Sequence, residues 1–288
     1  MIAIGMSTSC VFPHGTEAAF ATASQLGFDG VEIMVTRDRR TQDARTLRAL
    51  SARYGVRILS VHAPVLLFTQ FVWGGDPVRK LERSAALAQE VGAPTVVVHP
   101  PFRWQGAYAD DFTAVVRELG DRTGVELAVE NMFPWNVAGR RRAMYSPGWD
   151  PVTIDCDAAT LDFSHAALAG RDSLELATRL DDRLRHVHLC DGTTSVFEGG
   201  VFDEHLVPGD GKQPVAEVLG MLAARDWHGS IVAEVASHGR SESERQERLT
   251  RTLAFARGAV AGGIREDRPQ EGRSAGDLLR REDGVFEQ

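Results

Sequence analysis

The 288-residue sequence predicts a single (β/α)₈ barrel, because eight short runs rich in β-branched residues alternate with helix-length amphipathic segments. Apolar strands separated by helices indicate βαβ units and a parallel sheet that is buried on both faces. Eight such units form a closed barrel more naturally than an open sheet. No G-x-G-x-x-G motif follows the first strand, which removes the main argument for a dinucleotide-binding fold.

The elements are recognised from short local patterns. The predicted strands cover residues 2–6, 30–35, 57–62, 95–99, 125–130, 160–164, 185–190 and 230–235. The helical patterns cover residues 15–27, 43–55, 76–92 and 110–124. Several of these begin with Asp or Thr, which cap helix N-termini well, and end in Gly, a common helix stop. We therefore assign residues 1–261 to the barrel and the polar residues 262–288 to a flexible C-terminal tail.

Composition narrows the class of protein. The chain is 43% hydrophobic and 25% charged, as in a soluble globular protein. It has no membrane-length apolar run and no signal-peptide pattern, so we expect a cytoplasmic protein that does not span a membrane. The three cysteines form no CxxC motif, which argues against a disulfide framework and a thiolate zinc site. A net charge of −8 weakly disfavours a dedicated nucleic-acid binder, and a homo-oligomer stays open.

Carboxylates and imidazoles recur where the predicted strands end, which in a (β/α)₈ barrel is the end that carries the active site. They are Glu32, His62, His99, Glu130, Asp162, His188 and Glu234. A single strand-end histidine is usually structural, and we assign that role to His186. Seven converging polar groups are harder to explain, since carboxylates repel one another unless cations lie between them. Imidazole and carboxylate ligands without thiolate suit Zn²⁺, Mn²⁺, Fe²⁺ or Co²⁺.

The motifs resemble those of the xylose isomerase-like TIM barrels. That superfamily includes sugar-phosphate isomerases and epimerases, inosose dehydratases and endonucleases of the endonuclease IV type. The shared motifs are GFDGVEI, SVHAP, VVVHP, AVEN, LDFSHA, HVHLCD, DEHLVPGDG and VAEV. Each is weak alone, but their order and their places at strand ends form a specific signature from residue 1 to about residue 260.

The resemblance implies a metal site, shared by the isomerases and epimerases, that consists of Glu130, Asp162, His188 and Glu234. In those enzymes the two glutamates also serve as acid and base on either side of the substrate. The implied activity is a divalent-metal-dependent isomerase or epimerase of a sugar, sugar phosphate or cyclitol, with one Mn, Zn, Co or Fe ion. Proton transfer passes through an enediolate, and dehydration or elimination begins with the same proton abstraction.

The endonuclease branch implies an alternative, a trinuclear zinc phosphodiesterase that acts on abasic DNA. Its additional ligands match His62, His99, His165, Asp203 and His205, so the site could hold up to three zinc ions. We would expect a Tyr directly after HAP and an HPG motif in that branch, where this chain has HAPVLL and HPPFRW. A metal-bound barrel without turnover is the least favoured reading, because both glutamates are present.

The loops at the catalytic end carry four of the five tryptophans, including Trp149. Such rings suit a pocket that stacks on a sugar or cyclitol ring, although packing beneath long loops explains them about equally well. The expected substrate pocket consists of Glu32, Trp73, Trp104, Asn131 and Trp135. The insertion at residues 132–151 is the expected lid, and Arg140 to Arg142 within it could hold a phosphate, although a solvated charge run is the commoner explanation.

Overall fold

Eight parallel strands close into a barrel in the computed structural model, which describes residues 2–65, 69, 71–199 and 202–266. The first strand pairs with both the second and the last, so the sheet has no free edge. The strands of the chain are β1 (Ala3–Ser7), β2 (Gly30–Met34), β3 (Arg57–His62), β4 (Thr95–Val98), β5 (Glu126–Glu130), the hairpin pair β6 (Trp135–Val137) and β7 (Arg140–Arg142), then β8 (Ala159–Asp162), β9 (Leu184–Leu189) and β10 (Ser230–Ala233). All except β6 and β7 belong to the barrel, which confirms the predicted fold class.

Eight helices lie between or after the barrel strands. They are α1 (Thr16–Leu26), α2 (Ala44–Tyr54), α3 (Pro77–Val91), α4 (Ala107–Thr123), α5 (Phe163–Leu168), α6 (Ser173–Leu180), α7 (Val215–Ala224) and α8 (Glu242–Glu266). The first four are each followed directly by a glycine with φ between 66° and 84°; these are Gly27, Gly55, Gly92 and Gly124. Glycine enters this left-handed region without strain, so the predicted helix stops are confirmed.

The interior of the barrel is irregular between β2 and β3. Their pairing passes from Val31 opposite Ile58 to Glu32 opposite Ser60, which leaves Leu59 as an extra residue. Leu59 lies over Gly30, where a Cβ atom would be 2.5 Å from its Cγ. Such bulges often re-aim side chains near active sites. Here the bulge brings the Ser60 side chain into contact with Glu32.

The last helix extends past the expected end of the barrel. Residues 262–266, which were assigned to the tail, continue α8 to Glu266. Gly263 packs against α7 at Gly220, and a Cβ at Gly263 would lie 2.3 Å from the Gly220 carbonyl oxygen. The remaining tail, residues 267–288, lies outside the described residues. In the part of the chain described, no helix is long and apolar enough to cross a membrane.

Candidate metal centre and substrate cavity

The four residues of the expected core metal site converge at one rim of the barrel. Glu130 and Asp162 are the last residues of β5 and β8. His188 of β9 is in register with Asp162. Glu234 follows β10, and its backbone N–H donates to the Leu189 carbonyl at 3.0 Å. Because β5, β8, β9 and β10 are consecutive around the barrel, their final side chains meet.

One ring nitrogen of His188 lies at the centre of this group. His188 Nδ1 is 3.0 Å from Glu234 Oε2, 3.2 Å from Glu130 Oε1 and 3.7 Å from Asp162 Oδ2. Three of the four side chains are buried, and that of Glu234 is 13% exposed. Three carboxylates with so little access to water are costly unless a positive charge neutralises them.

Asn131 and Asp162 are joined by two hydrogen bonds at the end of β8. The Asn131 side chain donates to the Asp162 carbonyl at 2.9 Å and accepts the Asp162 backbone N–H at 2.7 Å. Asp162 Oδ1 accepts the His165 backbone N–H at 2.7 Å and so caps α5. Asn131, which was expected in the substrate pocket, therefore fixes a neighbouring strand end and does not line the cavity.

The second oxygen of Glu130 faces two further histidines. Glu130 Oε2 lies 2.9 Å from His99 Nε2 and 3.4 Å from His62 Nε2. Neither contact has the geometry of a hydrogen bond, so this buried oxygen has no hydrogen-bond donor among the described residues. Candidate ligand atoms of the three residues lie within 4.8 Å of one another, close enough to share an ion.

A third polar group lies on the other side of Asp162. Asp203 Oδ2 is 3.0 Å from His165 Nε2 and 2.8 Å from His205 Nε2. Candidate ligand atoms of Asp162, His165 and His205 again lie within 4.8 Å of one another. His165 Nδ1 is also 3.1 Å from Glu130 Oε1, so this group adjoins the core site. All nine residues expected from the two family branches are therefore brought together.

A buried aspartate organises the loop that carries Asp203 and His205. Asp191 is 1% exposed, and its side chain accepts hydrogen bonds from four backbone N–H groups of this loop. The donors are Gly192, Gly209, Gly211 and Gln213. A Cβ at Gly211 would collide with the Asp191 carboxylate. The sequence analysis gave Asp191 no role, although it directly follows the HVHLC strand.

The pKa values in this cluster follow the opposed charges. Burial alone would lower the pKa of His188, but the negative charges around it, that of Glu234 foremost, raise it well above 6.5. The pKa values of His165 and His205 are raised in the same way by Asp162 and Asp203. Burial would raise the pKa of Glu130, yet the neighbouring imidazoles hold it well below 4.5. The protonated imidazoles thus balance the charge of Glu130, whereas burial raises the pKa of the Asp162 carboxyl above its ordinary value.

A cavity of about 470 Å³ opens above these groups. Its polar lining residues are His62, His99, Glu130, Asn136, His165, Asp203, His205 and Glu234. Its apolar side consists of Met34, Phe102, Met132, Phe133, Trp135, Tyr145, Leu168 and Val196. In the described part of the chain, no lysine or arginine lines it. The volume and the mixed lining are those of a small-molecule site.

The apolar side is a stack of aromatic rings from two loops. The Phe102 ring lies 4.4 Å from that of Trp104 and 5.1 Å from that of Tyr145, with both pairs stacked. Trp135 meets Phe102 edge-on at 5.7 Å. Phe102 and Tyr145 were not among the expected pocket residues, which included only tryptophans as aromatic residues. Phe102 closely follows the strand end at His99, whereas Tyr145 lies well after Glu130 within the insertion. Trp104, 56% exposed, supports Phe102 from behind and does not line this cavity.

Several other expected pocket residues lie elsewhere. Glu32 is fully buried between His186 and His188 and does not reach the cavity. Trp73 lies outside the cavity lining, beneath the Arg83 guanidinium at 5.7 Å. The expected lid, residues 132–151, does supply cavity wall, through the β6–β7 hairpin and its flanks. Its arginines point elsewhere, and Arg141 stacks 3.8 Å from the Phe197 ring.

The family model of the xylose isomerase-like TIM barrel matches residues 20–258, which is most of the chain. The chain belongs to the xylose isomerase-like TIM barrel family. Its fold and its order of strand-end motifs are those expected from the sequence.

The relatives and structural neighbours of this family member include uncharacterized proteins and proteins named as epimerases or epimerase-like. An uncharacterized protein of Mycobacterium leprae (strain TN) is 46% identical over 277 residues, which is 89% of this chain and 97% of the relative. Fructoselysine 3-epimerase of Escherichia coli O157:H7 is 22% identical over 242 residues, covering 76% and 85%. The crystal structure of a D-tagatose 3-epimerase-like protein shares the fold, with a TM-score of 0.63, 21% identity and coverage of 90% and 100%.

The donor set of this xylose isomerase-like barrel fits a divalent cation. Three carboxyl groups surround one imidazole nitrogen, and Glu130 Oε2 is a buried oxygen that lacks a hydrogen-bond donor among the described residues. A bound cation would satisfy both features. The absence of a thiolate from the group favours ions that accept imidazole and carboxylate together.

Proposed function

We propose that the chain is a divalent-metal-dependent isomerase or epimerase that moves a proton on a carbon next to a sugar or cyclitol carbonyl. The observation that carries the proposal is the pair of glutamates, Glu130 and Glu234, which flank His188 Nδ1 at the floor of the cavity. The acid and the base that such a reaction needs are thereby held on two sides of one small volume.

Glu130, Asp162, His188 and Glu234 would hold the ion. When bound, a divalent ion polarises a carbonyl oxygen, acidifies the adjacent C–H and stabilises the charge that develops on oxygen. This site suits that role because its four ligands leave the cavity side open to substrate.

The two glutamates would share the proton transfers. One removes the proton from the carbon next to the carbonyl, and the other returns a proton to the opposite face or to the neighbouring carbon. Each must come within hydrogen-bond reach of the atom that it serves, about 2.6–3.2 Å. The pKa values of both carboxyls lie below 4.5, so either can begin as the base, and the other must take up a proton from solvent before it can return one to carbon.

The cavity lining favours an uncharged substrate. No lysine or arginine of the described residues lines the cavity, so a phosphate group would meet neither of these cations there and would lie close to the carboxylates of Glu130, Asp203 and Glu234. The Phe102, Trp135 and Tyr145 rings offer flat apolar surface that suits the C–H face of a carbohydrate ring. A neutral sugar, glycoside or cyclitol therefore fits better than a sugar phosphate. Fructoselysine 3-epimerase and the D-tagatose 3-epimerase-like protein, which this chain resembles, are both named for sugars without a phosphate group.

A second candidate function is a trinuclear zinc phosphodiesterase that acts on abasic DNA. The observation that favours it is the arrangement of the nine polar residues in three adjoining groups around Glu130 and Asp162. The lack of lysine and arginine in the described lining argues against it, because sequence-independent DNA binding depends on contacts between such side chains and phosphate. In the single-ion proposal, the surplus histidines bind substrate hydroxyl groups instead.

Metal content and product together test the choice. Purified protein would be stripped, reloaded with Mn²⁺, Co²⁺ or Zn²⁺, and assayed against neutral ketoses, 3-keto-glycosides, keto-cyclitols and abasic DNA. The proposal predicts about one tightly bound ion per chain and conversion of a neutral carbohydrate. Close to three zinc ions together with cleavage of abasic DNA that strengthens at low salt would support the second function instead.

A further inference from the structure

Glu32 is a fully buried carboxylate beside the candidate metal centre. It is enclosed together with His186 and His188. Its Oε2 accepts a hydrogen bond from Ser60 Oγ at 2.8 Å and lies 3.0 Å from His186 Nε2. The same Oε2 is in hydrogen-bond contact with His188 Nε2 at 3.3 Å, and Oε1 lies 3.2 Å from that nitrogen without hydrogen-bond geometry. Burying a carboxylate is costly unless it is paired. The function of the buried Glu32 charge therefore depends on these neighbouring side chains.

The His188 ring has different neighbours on its two nitrogens. Nδ1 faces the three carboxylates of the core site, whereas Nε2 faces Glu32. A neutral imidazole carries its proton on one nitrogen and a lone pair on the other. A ring that binds an ion through Nδ1 must therefore keep its proton on Nε2, where Glu32 is the acceptor within reach.

We propose that Glu32 is a positioning residue of the metal centre. Its carboxylate accepts the Nε2–H of His188 and so fixes the tautomer and the ring orientation that present the Nδ1 lone pair to a divalent ion. The inference rests on the proposed function, because it requires an ion at His188. Carboxylate partners of metal-binding histidines commonly have this effect, and losing one lowers metal affinity by about 10-fold to 100-fold.

The fold holds Glu32 in place without help from an ion. β2 and β9 are separated by β1 and β10 around the barrel, so the contact between Glu32 and His188 crosses the barrel interior. The bulge at Leu59 sets Ser60 opposite Glu32. The His186 ring stands nearly perpendicular to that of His188 at 5.1 Å and occupies the other side of the carboxylate. The acceptor is thus oriented before metal binds.

Metal titration of matched variants separates positioning from a purely structural role. EDTA-treated full-length wild type, Glu32→Gln and Ser60→Ala would be titrated with Co²⁺, following the heat of binding and the visible absorption of the ion. We expect the Kd for Co²⁺ to rise at least about tenfold in Glu32→Gln, with an altered absorption band, because an amide is a poorer acceptor. Ser60→Ala keeps the carboxylate and should raise the Kd by less than about threefold.

Thermal unfolding of the metal-free proteins reports whether each variant folds. A folded Glu32→Gln that binds Co²⁺ as tightly as wild type, with the same spectrum, would overturn the inference. If Glu32→Gln does not fold, Glu32→Asp replaces it, since its shorter carboxylate cannot reach His188 as closely and predicts the same loss. Wild type that binds Co²⁺ but exchanges no sugar proton would overturn the proposed function alone. Wild type that takes up no divalent ion would overturn both.

Discussion

The floor and the aromatic wall of the cavity are built on different principles. The floor comes from the last residues of barrel strands, such as Glu130 and Asp162, each of which is held in register with a neighbouring strand. The wall comes from loops, where Phe102 and Tyr145 approach each other across an isolated bridge between segments far apart in sequence. The floor can therefore hold charged groups within a few ångströms of one another, whereas the wall can change without disturbing them.

This difference separates chemistry from substrate choice. Groups that must keep fixed distances to an ion belong on strands, and groups that recognise a ring can sit on loops. If the division holds, changes to the floor should abolish turnover, and changes to the wall should alter substrate affinity while the chemical step continues. The predictions below test the two regions in turn.

The largest effect is expected at Glu234. Replacement by Gln removes a proton-transfer group and a metal ligand, and general acid–base catalysis alone is worth about 10²-fold to 10⁴-fold. We expect kcat for the carbohydrate that wild type converts to fall by at least that factor. The exposed Glu118→Gln is the matched control and should leave kcat unchanged. A Glu234→Gln enzyme that keeps a tenth of the wild-type kcat would remove Glu234 from the mechanism.

A smaller effect is expected at His99, which adjoins Glu130 but is not one of the four proposed ligands. With a single ion, His99→Ala should lower kcat/KM by about tenfold, through loss of one hydrogen bond to substrate, and leave the metal content unchanged. His62→Ala should lower kcat/KM by a similar factor and also leave the metal content unchanged. Loss of more than about a thousandfold, with a fall in bound zinc, would favour the trinuclear alternative.

The wall should affect binding more than chemistry. Trp135→Ala removes an aromatic face from the cavity, which we expect to raise KM by about 2-fold to 10-fold with kcat nearly constant. Trp149→Ala is the control, because that ring lies outside this cavity. Steady-state kinetics on one substrate measures both. A fall in kcat that matches the loss at the floor would contradict the division of roles.

The smallest effect concerns the metal-free protein. His165, His188 and His205 have folded pKa values well above 6.5, so their protonation stabilises the fold below that pH and is lost as pH rises through the folded values. Without metal, the melting temperature should fall by several degrees between about pH 6.5 and pH 8.5. Metal-loaded protein should not show this fall, because the ion replaces the protons. Equal melting curves with and without metal would contradict it.

The floor could be predicted from the sequence because two regularities act together. Parallel strands end at one rim, so Glu130, Asp162 and His188 had to converge once the strands were recognised. The same rule placed Glu32 at that rim, where it would line the substrate pocket. In the structure it lies deeper in the barrel, enclosed between His186 and His188. Depth depends on side-chain packing across the barrel, which no strand pattern contains.

The aromatic wall could not be predicted in the same way, because loops lack the regular pattern by which strands are recognised. Residues 132–151 were expected to form a lid, with Trp135 in the pocket and a possible phosphate contact from the arginines; Trp135 does line the cavity, but the arginines do not. Phe102 and Trp104 lie two residues apart, yet only Phe102 lines this cavity, while both line a smaller neighbouring one. Which ring faces the substrate depends on the stack that they form together.

The most direct test of the central claim is transfer of a solvent proton to carbon. Protein loaded with Mn²⁺ or Co²⁺ would be incubated in D₂O with the neutral carbohydrate that it converts, and the product examined by NMR and mass spectrometry. The account predicts deuterium at the carbon next to the carbonyl, with none in the Glu234→Gln variant. Conversion without deuterium at that carbon, or cleavage of abasic DNA in place of conversion, would contradict it.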